Sequence, residues 1–480
     1  MSTERLAAER RSSAGRAGEG RGQRRREARY TRMLAGTVVT LALLVAALTL
    51  ANAVQGPRVA DVVVDPAALV SRPEQSLVLR TSQRVAPVEA ADVRVEPSAP
   101  HRVTSDESGI TISFEGMLPY ATEYTVTVEA TTAATGVDSE LVADFTTADA
   151  DVFSLVRNGG NGDDDLITRR GLSDGDSARV LALPSIQEYA VAGRYVAAAT
   201  VEADGTNSLV SALVEGGPTT PIGLPATGTV TRLRGSGTSE LFGFLFTPPA
   251  GDPQRQTTLF IHDPTTGSPI SRPVLGPEGQ PLDVLDWTFV PDTTSVVVQA
   301  DDLNLYLVDT MVTAAVVPLG QHQELRGFIP GSRSLVVADA NGSTAIDVGT
   351  GETALLELPP DESTPEDYPG QVVVLGPDEY LEILMTPDYT PGATRLNPRI
   401  VHVDTGGARV IYEPVADATE IRSMCVSPNG HTLAVELIDG DPSPDGYPNV
   451  PASIGMSTVL LDIATGETIG GMNGFQPSWC

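Results

Sequence analysis

The residues of this chain best placed to do chemistry are carboxylates in glycine-rich loops. NGGNGDDDLI, Asn158 to Ile167, contains from Gly159 onward a fit to the nine-residue calcium pattern G-G-x-G-x-D-x-U-x. Such a pattern works by stacking, because each calcium lies between the turns of successive repeats and one copy supplies half a site. The next nine residues, TRRGLSDGD, do not repeat it. The Gly and Asn therefore read as turn formers at a junction between two domains, with Asp165-Leu166-Ile167 starting a strand. A second acidic loop, IDGDPSPDGYPN from Ile438 to Asn449, offers Asp439, Asp441 and Asp445. Ser443 and Pro444 there break the oxygen spacing and the glycine that an EF-hand needs, so it reads as a long solvated loop.

Other chemistries find little support. The five His are His101, His262, His322, His402 and His431, and none stands two or four residues from another, so no compact metal site is expected. His431 reads as a solvated turn residue, and His262 and His402 as structural strand residues. There is no G-x-S-x-G elbow, P-loop or H-E-x-x-H. Five Asp (Asp263, Asp309, Asp347, Asp404 and Asp462) recur at strand ends before turn residues, where a carboxylate caps backbone N–H groups two residues on. The two cysteines, Cys425 and Cys480, suit a disulfide in an oxidising compartment better than a nucleophile. No catalytic residue, metal ligand or cofactor is assigned.

The elements that hold these groups begin with a membrane signal. Met33 to Val54 is 22 residues without a charge, enough to cross a bilayer. Ten Arg against four Glu precede it in residues 1–32, whereas the rest holds 21 basic and 58 acidic residues, a balance of −37. That asymmetry orients an uncleaved anchor with its N-terminus in the cytoplasm and residues 55–480 outside the membrane. Cleavage near Ala53, releasing a secreted protein, is the alternative. The absence of Lys, with abundant Ala, Gly, Val and Pro, fits a GC-rich bacterial coding sequence. An acidic body argues against nucleic acid as a partner, because phosphate contacts need clustered positive charge, and the basic tail has a simpler role in setting membrane orientation.

Residues 55–150 alternate with period two in SLVLRT, ADVRVEP, GITISFEG, EYTVTVEA and ELVADFTT, separated by turns. In LPYATEYTVTV, Tyr124 follows a Pro-containing bend, as in a tyrosine corner whose hydroxyl bonds back to the preceding backbone. With VVVDPAA and the closing Phe145-Thr146-Thr147, this segment resembles the SbsA-type bacterial Ig-like domain and its fibronectin III neighbours. The resemblance implies a β-sandwich stalk in an envelope protein.

From residue 151 to 480 an apolar strand, turn and second apolar strand recur every 40–55 residues, as in WTFVPDTTSVVVQA and MCVSPNGHTLAVEL. A strand ending in an Asp turn follows, as in VLLDIATGE. Four strands per unit predict a β-propeller blade. With SPNG at Ser427 and D-x-x-T-G at Asp462, the segment resembles WD-repeat and TolB-like propellers. First strands near 188, 232, 287, 327, 372 and 424, together with FQPSWC at the end, predict seven blades, with six as the alternative. FQPSWC would close the ring against strands from residues 151–185, and a Cys425–Cys480 disulfide could lock the seam.

The expectation is an all-β, single-pass envelope protein: an Arg-rich tail (1–32), an anchor (33–54), an Ig-like stalk (55–150) and a propeller head (151–480). Without catalytic motifs the head reads as a non-enzymatic binding or scaffold module for an envelope protein, glycan or wall polymer. The rival is a polysaccharide-acting hydrolase or lyase using paired carboxylates in the channel, which would show as a carboxylate pair there with one clearly raised pKa.

Overall fold

The computed structural model describes residues 30–47, 49 and 55–479, apart from 107–108, 159–162, 174, 253–254, 313–314, 361–362, 390–394, 417 and 441. The Arg-rich tail up to residue 29, the cleavage position Ala53, Asp441 and Cys480 lie outside the described residues.

A helix, α1 (Tyr30–Ala47), is long and apolar enough to cross a membrane or to act as a signal sequence. It is fully exposed, and at 1.5 Å per residue its 18 residues reach about 27 Å. Two of its threonine hydroxyls return to the helix itself: Thr37 donates to the Met33 carbonyl and Thr40 to that of Gly36, both at 2.9 Å. No polar side-chain hydrogen is left needing water at those positions.

Contact density divides the chain into two compact units. The first comprises residues 1–64, 77–112 and 125–144; the second comprises 65–76, 113–124 and 145–480. Between residues 59 and 146, strands form one four-stranded and one three-stranded antiparallel sheet. Their burial alternates residue by residue, as in Ile110–Phe114, the pattern of strands with one face inward and one outward.

From residue 151 the chain is a β-propeller arrangement of successive antiparallel sheets. The first sheet has three strands, Asp151–Val156, Asp165–Gly171 and Ser177–Leu183, and six four-stranded sheets follow, each in sequence order. Their first strands are Ile186–Ala192, Thr229–Gly235, Val284–Phe289, Glu324–Phe328, Tyr368–Gly376 and Glu420–Val426. Contacts run between the first strands of neighbouring sheets, including second to third, third to fourth and fourth to fifth, which makes the first strands the inner ones. Second strands such as Ser295–Ala300 (SVVVQA) are buried almost throughout, because neighbouring sheets cover both faces. Trp287, 0% exposed, lies on Gly243, where a Cβ would stand 2.2 Å from the indole.

The first sheet receives its missing strand from the chain end. Phe475 and Leu155 exchange both backbone hydrogen bonds, at 2.9 and 3.0 Å, and Ser478 N–H donates to the Phe153 carbonyl at 3.1 Å. This corrects the reading of NGGNGDDDLI as a domain junction. Asp151–Val156 pairs with Asp165–Gly171, so the stretch joins two strands of one sheet, with residues 159–162 outside the described set. DVFSLV was missed because a strand buried on both faces shows no alternation; four consecutive residues of it are buried.

Candidate functional site

Each of the six first strands carries an irregularity against its second strand at a similar position. The residues left out of the ladder include Gln187, Arg232, Leu233, Leu285, Arg326, Gln371 and Arg422. A bulge frees backbone groups and re-aims side chains, and here most of the re-aimed side chains are polar or charged. Several stitch one sheet to the next. Gln187 Nε2 donates to the Val230 carbonyl at 2.7 Å, while Gln371 exchanges hydrogen bonds with the Met424 backbone at 2.8 and 3.0 Å.

Glu188, next to the first bulge, is 4% exposed. Its Oε2 accepts the Leu233 N–H at 3.2 Å, a donor released by the bulge of the neighbouring strand. Its Oε1 is buried and makes no hydrogen bond among the described residues. Gly235 lets the two strands approach this closely, since a Cβ there would stand 2.0 Å from the Val191 carbonyl oxygen. Burial pushes the Glu188 pKa up to about 7; the Leu233 N–H, Arg234, the Gln187 side chain and Arg157 restrain the rise. A carboxyl group that titrates near neutrality inside the fold can both give and take a proton.

Beside it, one carboxylate serves two guanidinium groups. Asp286 Oδ2 meets Arg232 Nη1 at 2.7 Å, and Oδ1 meets Arg234 Nη2 at 3.2 Å. The Trp287 N–H holds Oδ1 at 2.7 Å, and the indole Nε1 donates to the Arg232 carbonyl at 3.2 Å. Arg232 adopts φ 52°, a left-handed conformation costing a non-glycine residue about 1–2 kcal/mol. Burial, with some help from Arg232, lowers the Arg234 pKa, although its side chain remains 31% exposed. That combination suits a side chain reaching water from a crowded interior.

The Glu188 environment has a stability consequence. An acid whose folded pKa lies above its unfolded one favours the fold only while neutral. The contribution is complete below the unfolded value of about 4.5 and is lost as pH rises through about 7. The gap corresponds to about 3 kcal/mol. Glu188→Gln keeps an acceptor for Leu233 and cannot ionise. Its thermal unfolding should match the parent near pH 4.5 and exceed it by several degrees at pH 8; a difference that does not grow with pH contradicts this assignment.

Several carboxylates of the acidic loops have partners within the protein. Asp445, read from the sequence as a solvated loop residue, pairs instead with Arg157, each side chain 1% exposed. Asp165 accepts from Asn158 N–H at 2.9 Å, Ile186 N–H at 2.8 Å and the Tyr447 hydroxyl, so its oxygens are committed within the fold. Among the described residues no group of three His, Cys, Asp or Glu could hold a metal. The histidines have protein partners: His322 meets Asp339 at 2.8 Å, and His402 meets Glu379 at 2.7 Å and Arg409 at 3.0 Å. His431 is not the solvated residue expected, because its Nε2 donates to the Met117 carbonyl at 2.8 Å. The recurring Asp residues do cap their turns, as when Asp347 accepts from Gly349 and Thr350 N–H at 2.8 and 3.0 Å.

Tyr124 is 2% exposed and stacks on Phe145, with centroids 5.3 Å apart. Its hydroxyl makes no hydrogen bond among the described residues; the stacked ring replaces the hydroxyl tether expected of it. Burial raises its pKa to about 12. Cys425 packs beside the Val152, Leu172 and Leu460 cluster and is not a free thiol; its expected partner Cys480 is outside the described residues.

No protein-family model and no curated protein matches this chain. Among solved structures, it is similar to a prolyl endopeptidase, with 13% identity, TM-score 0.46, and coverage of 68% of this chain and 50% of that one. It is also similar to Pyrococcus horikoshii acylaminoacyl peptidase, with 8% identity, TM-score 0.38, and coverage of 73% and 51%. The β-propeller domain of a trilobed protease from Pyrococcus furiosus matches at 10% identity and TM-score 0.34, covering 69% and 99%. The chain thus spans about half the length of the two peptidases. Peptidases stand among these similar structures, against the expectation of a non-enzymatic binding or scaffold module, which is withdrawn. The catalytic reading rests on this chain's own residues.

Proposed function

We propose that the chain is a membrane-tethered extracytoplasmic hydrolase whose proton-transfer group is Glu188. The observation that supports this is a carboxyl group enclosed at the inner edge of the propeller, with a pKa raised by burial to about 7 and one oxygen making no hydrogen bond among the described residues. Acid–base catalysis is most effective when the group's pKa lies near the working pH, and two to four orders of magnitude in rate are typical of such a group. Arg234 supplies positive charge beside it, where negative charge develops as a bond is hydrolysed.

In this reading the seven sheets are seven blades, closed by the pairing of Phe475 with Leu155, and residues 55–150 form an Ig-like sandwich of the SbsA type. The anchor is uncleaved with its N-terminus inside, and Cys425 and Cys480 are joined across the closing seam.

The test uses the full chain in lipid nanodiscs against chromogenic ester, amide and glycoside panels. Turnover with a pH profile inflecting near 7 is expected, with kcat lowered at least 100-fold in Glu188→Gln at unchanged KM. Turnover equal in parent and variant, or none on any panel, overturns the assignment.

A further inference from the structure

We propose that the sheet of residues 368–412 carries a docking surface for a basic, extended peptide segment of a partner protein, seated on an apolar platform between Tyr368 and Tyr389.

The platform follows from strand length and register. The first three strands of this sheet, Tyr368–Gly376, Glu379–Pro387 and Leu396–Asp404, have nine residues each, whereas the second strands of the other four-stranded propeller sheets have six or seven. Tyr368 stands opposite Met385, Met385 opposite Pro398, and Pro387 opposite Leu396. Partners across an antiparallel ladder share a face, and so do residues two apart along a strand. These five side chains therefore lie on one face, and Tyr389 follows two residues after Pro387. Tyr368 is 56% exposed, Tyr389 71% and Leu396 45%. The surface measures about 10 Å across its three strands and about 14 Å from the Met385 row to Tyr389. That is the length of roughly four extended residues.

The opposite face holds this platform in shape. Arg399 pairs with Leu384 in the ladder, so its side chain leaves on the side away from Met385. There Arg399 Nη2 meets Asp367 Oδ2 at 2.9 Å, and Asp367 also accepts the Thr364 N–H at 2.8 Å and the Thr386 hydroxyl at 2.5 Å. A braced surface loses little freedom on binding, which leaves the cost of ordering to the partner.

Charge selects the occupant. Residues 357–420 hold 13 Asp and Glu against three Arg. Arg399 is matched by Asp367, and Arg409 is turned to the Ile463 and Ala464 carbonyls at 2.8 and 2.9 Å. Glu366, two residues before Tyr368, and Glu413, just after the fourth strand, are exposed and make no ion pair among the described residues. An anionic polymer, an anionic lipid surface and a second copy of this acidic chain are all repelled here. Arginine or lysine side chains can instead pair with these carboxylates and stack on the tyrosine rings. Tyrosine is also among the residues that carry most of the energy at protein interfaces. None of the residues around Glu188 is involved.

The experiment titrates a fluorescein-labelled peptide of alternating arginine and leucine into the full chain in phosphatidylcholine nanodiscs, read by anisotropy. Saturable binding is expected, at least tenfold weaker in 300 mM than in 50 mM salt, with no binding of the counterpart that carries glutamate for arginine. The double variant Tyr368→Ser with Tyr389→Ser keeps every charge and should lose tenfold or more. Tyr389→Ser alone, at the more exposed position, should lose at least threefold with an unchanged melting temperature. Peptide binding that is equal in parent and tyrosine variants is general attraction to an acidic body and overturns the inference. So does saturable binding of the neutral glycan cellohexaose in place of the peptide. A dimer in sedimentation velocity that the tyrosine variants abolish also overturns it, because a second copy then covers the platform.

Discussion

Replacing Arg157 with Ala should destabilise the propeller by about 3–5 kcal/mol, the usual cost of removing one partner from a buried ion pair. The guanidinium is enclosed by several partners at once. It pairs with Asp445, donates from Nε to the Ile186 carbonyl at 3.0 Å and from Nη1 to the Val450 carbonyl at 3.0 Å, and donates from Nη2 to the Gln187 carbonyl. Its plane also lies 3.9 Å from the Tyr447 ring centroid and 4.9 Å from that of Phe475. Truncation strands the Asp445 charge in a dry site and orphans carbonyls on the first strand of the second sheet. Burial lowers the Arg157 pKa while Asp445 opposes the change.

The diagnostic comparison is the double variant Arg157→Met with Asp445→Leu. Removing both charges should recover most of the loss, since apolar replacements of a buried pair are often neutral or better. Denaturant midpoints of parent, single and double variants decide it. A single variant within 1 kcal/mol of the parent would mean that water reaches the pair.

Phe475→Ala should cost a further 3–5 kcal/mol or so, by loss of transfer energy and creation of a cavity. The ring is 1% exposed and packs with Phe153, Leu155, Ile167, Ile186 and Tyr189. The Arg157 and Arg422 guanidinium groups stand 4.9 and 5.1 Å from its centroid. Deleting everything after Asn473 goes further. It removes the paired bonds to Leu155, the Gln476 N–H that Glu436 accepts at 2.6 Å, and the carbonyl that takes the Tyr189 hydroxyl at 2.7 Å. The edge of Asp151–Val156 would then be open, a template for pairing with another chain. The truncated protein should elute as aggregate in size-exclusion chromatography and show no cooperative melt. If it stays monomeric with a melting temperature within a few degrees of the parent, the terminal pairing does not hold the seam.

How much of this was legible beforehand differs from element to element. The six first strands stand where repeated apolar pairs were read, because the second strands that follow them carry largely apolar runs bounded by turn residues. The Asp turns were equally legible, since a carboxylate that caps N–H groups two residues on acts within its own loop. The strand Asp151–Val156 was not, for want of alternation. Glu188 was hidden more completely. In EYAVAGRYV it is one acidic residue at the edge of an apolar strand, with nothing to mark it off from dozens of surface carboxylates.

Asp445 shows the same limit from the other side: in IDGDPSPDGYPN it reads as a solvated loop residue, and its partner Arg157 lies 288 positions away. The sequence by itself determined the elements, because hydrophobic period, turn chemistry and an 18-residue apolar helix depend on neighbours along the chain. Only the tertiary structure decided which charges are buried, which are paired and which remain unmatched. The raised pKa of Glu188 and the sharing of Asp286 by Arg232 and Arg234 depend on distances between strands and on exclusion of water, and neither exists until the sheets are packed against one another.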